Sequence, residues 1–504
     1  MHSRKIVKNT LVTMLSKLII LLLGFVTRKL FLIYIGEQLL GLSSLYSNIL
    51  DLLNMSELGI SAAIQFALYK PLAEKDTTSI NNVLYHARKI YSCIGIVILI
   101  LGTICTFFIQ YLIKDNHFDL SLIQISFLLC VFNIAASYFF THKRLFLQTN
   151  EDLYLVNVAD CVMTILFSAV KIVIIVVWGN YLAYTGIAIM QTLCANFLIS
   201  IFCRKKYPNI MAAYSDNAMS IKIFKDLKNV IPLKISYYIY KSTDNIVISK
   251  FIGITSVAYY SNYAMIINQI SIVYSQIINI ICSSMGILSN EINNRIVLRE
   301  KVKRLQIINY LFGTICFTEL VCLLDPLIII WLGENYVLNS MVAWLIATDF
   351  FTFIAYQPYS IIFNITGKFK EDRNITLGIA IANIVISVVL AQSIGISGVI
   401  IGTLFCDVTN WIYRVYKIGY QYFEENIHIF LKEMVKRIVI LTLDTVCAIV
   451  ISRLILKDMS WATLAISAII VGIIVVGIDV LFYYRNKQFR DTLILCKKII
   501  INRK

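Results

Sequence analysis

The chain has 504 residues, 59% of them apolar and only 15% charged, with a net charge of +16 and a mean hydropathy of +0.78. An ordinary soluble domain carries about 25% charged residues, so a water-soluble fold is excluded and lipid must be the main solvent. The positive balance would suit nucleic acid, but its distribution excludes that partner: 35 of the 45 lysines and arginines fall on alternate connections between apolar runs.

A span needs about 20 predominantly apolar residues. Taken from the N-terminus, such runs predict helices over 10–35, 39–68, 83–113, 120–141, 155–178, 183–203, 228–251, 256–289, 304–325, 338–364, 374–394, 396–417, 434–456 and 459–484. The expected fold is therefore all-α, with about fourteen transmembrane helices. The alternating basic connections place both termini on the cytoplasmic side of a bacterial inner membrane. The connections on the outer side are short (35–37, 114–119, 179–182, 253–255, 331–337, 392–396 and 456–459), which leaves no room for an extramembrane catalytic domain. The longest cytoplasmic connection, within 204–228, carries Ile221, Phe224, Lys225 and Lys228 and reads as a short interfacial helix. The 12 cysteines form no C-x-x-C pair and sit mostly in apolar runs, as small buried hydrophobes do.

The chain also repeats itself at an offset of 217 residues. Lys17 matches Lys234, Ile35-Gly36 matches Ile252-Gly253, Ser44 matches Ser261, Thr149 matches Thr366 and Asn157 matches Asn374. The sixth and twelfth spans match weakly at an offset of 212, Tyr184-Thr185-Gly186 against Ile396-Ser397-Gly398. The expected organisation is an N-terminal six-helix bundle (1–203), a cytoplasmic connection (204–227), a C-terminal six-helix bundle (228–420) and two further helices with a basic tail (421–504). Six is even, so both bundles start inside and are related by a pseudo-two-fold axis along the membrane normal, as in many transporters.

Ionisable groups inside hydrocarbon need a polar lumen or a partner. The first span carries Lys17 and Arg28, eleven residues apart and so on one face. The seventh carries Lys234, Lys241, Asp244 and Asn245, where Lys241 and Asp244 can pair at i, i+3. The second has a polar face of Ser44, Ser47, Asn48, Asp51, Asn54, Ser61 and Gln65 with Glu57 at its edge, and the eighth repeats it without charge through Ser261, Asn268, Ser271, Ser275 and Asn279. Lys171 stands alone in the middle of the fifth span. Together these predict a cationic lumen between the bundles, contacted by Arg28, Lys171, Lys241, Lys234, Lys17, Asn48, Gln65 and Asn268. Asp51, Glu57 and Asp244 are candidates to bind a coupling H⁺ or Na⁺. For Lys17, snorkelling toward the interface is an equal alternative. For Glu319, Asp349, Asp407 and Asp444 structural pairing is the better reading. No phosphate-binding G-x-x-x-x-G-K-[ST] loop, clustered histidines or loop-borne carboxylate pair is present, so neither an enzyme nor a metal or organic cofactor is expected.

The segment 28–50, RKLFLIYIGEQLLGLSSLYSNIL, with Ser56-Glu57-Leu58-Gly59-Ile60 and Ala67-Leu68-Tyr69-Lys70-Pro71-Leu72, resembles the Wzx-like O-antigen and polysaccharide-export flippases of bacteria. These belong to the multidrug/oligosaccharidyl-lipid/polysaccharide exporter superfamily. The resemblance is strongest over the first 90 residues and implies a V-shaped pair of six-helix bundles. It implies a flippase that moves an undecaprenyl-diphosphate-linked oligosaccharide, such as an O-antigen, capsule or exopolysaccharide repeat unit, from the inner to the outer leaflet by alternating access. Arg28 falls where that family keeps a basic residue in its first helix. Membrane lipids and other polysaccharide assembly proteins are the further partners it suggests. A lipid II-type peptidoglycan-precursor flippase and a multidrug antiporter of the same superfamily are the rival readings. A cationic drug would favour an acidic path, whereas this sequence lines its path with lysine and arginine.

Overall fold

The computed structural model describes residues 2–54, 60–114, 118–210, 212, 242–284, 295–365, 369–486 and 488–491. Among them there is no strand, and the helices divide between two compact units, Met1–Ala258 and Tyr259–Lys504.

The first unit holds α1 (His2–Tyr34), α2 (Glu37–Leu53), α3 (Ile60–Glu74), α4 (Thr77–Thr106), α5 (Leu120–Tyr138), α6 (Thr141–Thr149), α7 (Leu153–Val173), α8 (Tyr181–Lys206), α9 (Asp244–Phe251) and the start of α10 (Ile254–Ser284). α1 packs along α7, α4 along α5, and α8 against both α5 and α7. Asp76 starts α4 by accepting from the Thr78 and Ser79 amides at 3.0 and 3.1 Å, which satisfies two otherwise orphaned donors. These bonds and that from the Ser79 hydroxyl hold its carboxyl below the usual carboxylate range. The α1–α2 turn requires Gly36 at φ 104°, and the α9–α10 turn, 217 residues on, uses Gly253 at φ 144°. Gly41 is required for a different reason: a Cβ there would sit 2.1 Å from the Ile254 carbonyl oxygen, so α2 and the start of α10 meet backbone to backbone.

The second unit holds the rest of α10, α11 (Arg295–Trp331), α12 (Ser340–Ile365), α13 (Phe369–Ile394), α14 (Ile396–Arg414), α15 (Ile427–Ile455) and α16 (Trp461–Tyr483). α11 packs on α12, α15 and α16, while α13 and α14 form an antiparallel pair joined at Gly395. That pair is tight because Gly398 has no side chain to meet the Leu390 carbonyl, which would lie 2.3 Å from a Cβ. α7 and α14 both end in π-helical turns, Ile174–Trp178 and Val415–Tyr422.

Among the described residues, nine helical segments are long and apolar enough to cross a membrane: α4, α5, α7, α8, α11, the apolar parts of α13 and α15, α14 and α16. The other predicted spans coincide with helices outside that set (α1, α2 with α3, α10 and α12) or, for 228–251, fall largely on residues that are not described. The outer faces are apolar, with Ile466, Ile469, Ile473 and Leu481 of α16 and Val435, Ile438, Val439 and Leu454 of α15 each at least half exposed. This is a multi-pass membrane protein. One helix was not expected: the connection after α5 folds into α6, which buries His142, Leu145, Phe146 and Leu147 against the rest of the unit. The interfacial helix expected within 204–228 lies largely outside the described residues.

Candidate functional site

Two of the predicted cations come together within the first unit. Lys171 lies in the last turn of α7, half-buried, and its ammonium donates to the Gln191 amide oxygen of α8 at 2.7 Å. Gln191 is fixed in turn, because its amide nitrogen donates to the Thr164 hydroxyl at 3.2 Å. Thr164 and Lys171 are seven residues apart on α7, and Tyr184 and Gln191 are seven apart on α8, so each pair shares a helix face. The Lys171 ammonium also lies 5.6 Å from the centre of the Tyr184 ring. Arg28, half-buried on α1, interacts electrostatically with the same tyrosine. Phe31, one turn along α1, holds that ring edge-to-face at 5.0 Å, and Tyr181 is fixed by Ser43 at 2.9 Å. Tyr184 is thus common to Arg28 and Lys171, and the hydrogen-bond and ring partners of Lys171 are uncharged. Neutral dipoles thus orient the Lys171 ammonium without neutralising it.

The remaining predicted residues are placed individually. Lys17 is exposed on α1, Asn48 half-buried and Asp51 exposed on α2, and Gln65 half-buried on α3. The hydroxyls of Ser44 and Ser47 turn back onto their own helix, bonding the Leu40 and Ser43 carbonyls at 3.0 Å each. Asp244 is buried at the start of α9 and has its own interactions. In the second unit Asn268 is exposed on α10, as are Ser275 and Asn279 on the same stripe. Lys234, Lys241 and Glu57 lie outside the described residues.

Sequence reasoning missed the partners in three places. Arg144 of α6 holds Asp160 of α7 with two 2.8 Å bonds and Asn196 of α8 with a third at 2.7 Å, which satisfies its charge internally. Gln191 and Thr164 were missed because neutral polar residues in apolar runs are common; their seven-residue spacing from Tyr184 and Lys171 was the available signal. In the second unit Asp444 of α15 and Asp479 of α16 are 0% and 1% exposed and close enough to interact. Thr314 of α11 donates to Asp479 at 3.1 Å, while neither Asp444 oxygen has a hydrogen-bond partner. Glu319 faces Gly472 of α16, whose Cβ position is 3.5 Å from its carboxylate.

Comparison with known proteins agrees with this architecture. A family model described as polysaccharide biosynthesis protein matches residues 6–281. No curated protein matches the sequence. Among solved structures, the lipid II flippase MurJ in an inward closed conformation superposes with a TM-score of 0.69 at 15% identity, over 94% of this chain and 98% of that one. An inward-facing multidrug resistance MATE family transporter of the MOP superfamily gives 0.61 at 13% identity, over 81% and 98%. A MOP superfamily transporter from Pyrococcus furiosus, described as having a binding pocket of reverse polarity, gives 0.55 at 14% identity, over 82% and 96%. At such identities these likenesses show the shared fold.

Proposed function

The chain belongs to the polysaccharide biosynthesis protein family, and from that premise we propose that it is a flippase for an undecaprenyl-diphosphate-linked oligosaccharide. It carries an O-antigen, capsule or exopolysaccharide repeat unit from the inner to the outer leaflet of the bacterial cytoplasmic membrane, by alternating access and without enzymatic chemistry. The observation that supports this most is the placing of Lys171 and Arg28 around Tyr184, with the Lys171 ammonium on uncharged partners. A diphosphate leaving water for the membrane interior needs compensating cations, and this pair supplies two on neighbouring helices. A cationic drug would be repelled there. The polar stripe on α2, and separately that on α10, is of the kind that suits sugars, and the lipid tail stays in the bilayer. The sequence holds no nucleotide-binding loop, so an H⁺ or Na⁺ gradient, or removal of product outside, drives net movement. Both termini lie in the cytoplasm in this reading, and 1–203 and 228–420 are its two six-helix bundles.

Lipid II is the second reading, favoured by the MurJ likeness over 94% of the chain; its diphosphate asks the same of Lys171 and Arg28. The decisive experiment reconstitutes the purified protein in liposomes with fluorescent undecaprenyl-diphosphate oligosaccharide or lipid II and measures quencher accessibility. Translocation of the oligosaccharide without ATP, faster than that of lipid II, is the expected result. Strict ATP dependence, or no movement of either lipid, overturns the proposal. Orientation has its own check: on a cysteine-free background, a cysteine at Lys457 should react with an impermeant thiol reagent added to cells and one at Asp76 should not.

A further inference from the structure

A cavity of about 310 Å³ opens in the first unit, away from Lys171, where α4, α6 and the end of α8 converge. Leu84, Arg88 and Ser92 line it from one face of α4, four residues apart, and Phe139, His142, Lys143 and Phe146 from the region of α6. Among the described residues no carboxylate lines it. The basic groups are close enough to act on one another: Arg88 on both His142 and Lys143, and Arg204 on Lys143. Among the described residues, Asp160 is committed to Arg144 and Asp152 to Lys206 and Tyr207.

Gathering like charges in a partly buried pocket is unfavourable, and no described carboxylate on the walls offsets it. The walls mix two chemistries, a guanidinium, an ammonium and a serine hydroxyl beside phenylalanine rings and leucine. That combination fits a phosphate with apolar substituents. We propose that this pocket is a phosphate-binding site distinct from the Lys171 cluster, with Arg88 and Lys143 as its principal ligands and the phosphate of an anionic lipid headgroup as its occupant. Basic pockets beside transmembrane helices take such headgroups. Arg88 is exposed at the rim while His142 is buried at the wall, so a headgroup can enter without opening the helix packing. The site does not depend on the transported substrate.

The test uses the purified full chain in an uncharged detergent. Binding of dioctanoyl phosphatidylglycerol, dioctanoyl phosphatidylcholine and inorganic pyrophosphate is measured by native mass spectrometry and by calorimetric titration. Phosphatidylglycerol should bind at least about tenfold more tightly than phosphatidylcholine, and the double variant Arg88→Gln/Lys143→Gln should lose at least about thirtyfold. Lys89→Gln, which removes a neighbouring cation that sits instead over the Tyr85 ring at 4.6 Å, should bind like the wild type. Binding of pyrophosphate alone, lost in the same double variant, would support the phosphate site and assign it to a soluble phosphate rather than a lipid. Removing like charges should leave the thermal midpoint of the double variant no lower than that of the wild type. If the double variant fails to fold, Arg88→Gln and Lys143→Gln singly should each weaken binding about tenfold. Equal binding of both lipids with no pyrophosphate bound, or wild-type binding by the variants, overturns the site.

Discussion

Lys171 and Asp444 are both ionisable side chains on long apolar helices, but their surroundings answer them in opposite ways. Lys171 is held by a glutamine carbonyl and an aromatic ring, neutral groups oriented to favour a positive charge. Asp444 has no hydrogen bond on either oxygen, and a second carboxyl, Asp479, is close enough to act on it. Two like charges in one buried site repel each other, so neither carboxyl offsets the other. Intramembrane charges thus fall into two kinds. One is held by neutral dipoles; the other lies beside a group of its own sign. The Arg144–Asp160 pair is a third case, with charges kept and spent on each other.

The largest effect that bears on this contrast is on transport. Lys171→Ala removes a charge-assisted contact worth about 1.5–3 kcal/mol, so export of polysaccharide in a flippase-null strain should fall roughly tenfold or more. Arg28→Ala should do the same, and Arg28→Lys, which keeps the charge but not the planar fork, should be milder. Lys17→Ala, at an exposed position, should export near the wild-type rate. Protein level in the membrane is measured alongside. Normal export by both Lys171→Ala and Arg28→Ala at normal levels would break the contrast and make the Tyr184 cluster structural.

The next effect is on stability, and it separates the two kinds of carboxylate. Asp160→Asn leaves Arg144 with no counter-charge and one fewer acceptor, and should cost about 2–3 kcal/mol. Asp444→Asn removes a carboxyl whose charge has no counter-charge and no hydrogen bond, and should be neutral or slightly stabilising. Unfolding of the two purified variants in graded denaturant gives the comparison directly. A loss in Asp444→Asn as large as in Asp160→Asn would mean that Asp444 holds a cation the protein needs.

Most of the fold was legible in the sequence because lipid imposes it: a run of 20 apolar residues has few options other than a spanning helix. The turn glycines were legible as well, since Ile35-Gly36 and Ile252-Gly253 recur at the repeat offset and both glycines take a positive φ. α6 was not. Its nine residues are too few to show a helical period, and what makes it fold is the burial of Leu145, Phe146 and Leu147 by other helices. At the candidate site the sequence picked out Lys171 and Arg28 by charge alone. It did not show that Tyr184 joins them, because α1, α7 and α8 are brought together by tertiary packing, which no spacing within one helix reports. The Asp444–Asp479 pairing was hidden in the same way, 35 residues apart on different helices.

The smallest expected effect concerns His142, at the wall of the basic pocket, where a positive charge is disfavoured. Burial, and then the nearby Lys143 and Arg88 charges, push its pKa down to about 4 from the ordinary 6.5. A histidine with a depressed folded-state value binds its proton first in the unfolded chain. Its contribution to stability is therefore complete above about pH 6.5 and is lost progressively as the pH falls toward 4. Between pH 6.5 and 5.5 this one group should cost the folded protein about 1 kcal/mol. His142→Gln has no such proton to take up, so its stability should fall less steeply over that interval, and carboxylates that titrate in both proteins cancel in the difference. Stability curves measured at a series of pH values in detergent give the two slopes. Equal slopes would mean that His142 titrates as an exposed histidine does and that the pocket wall is open to water. A shallower wild-type slope when phosphatidylglycerol is added would mean that the bound phosphate answers the charge the protein leaves unanswered, as the Lys171 cluster is proposed to ask of its own ligand.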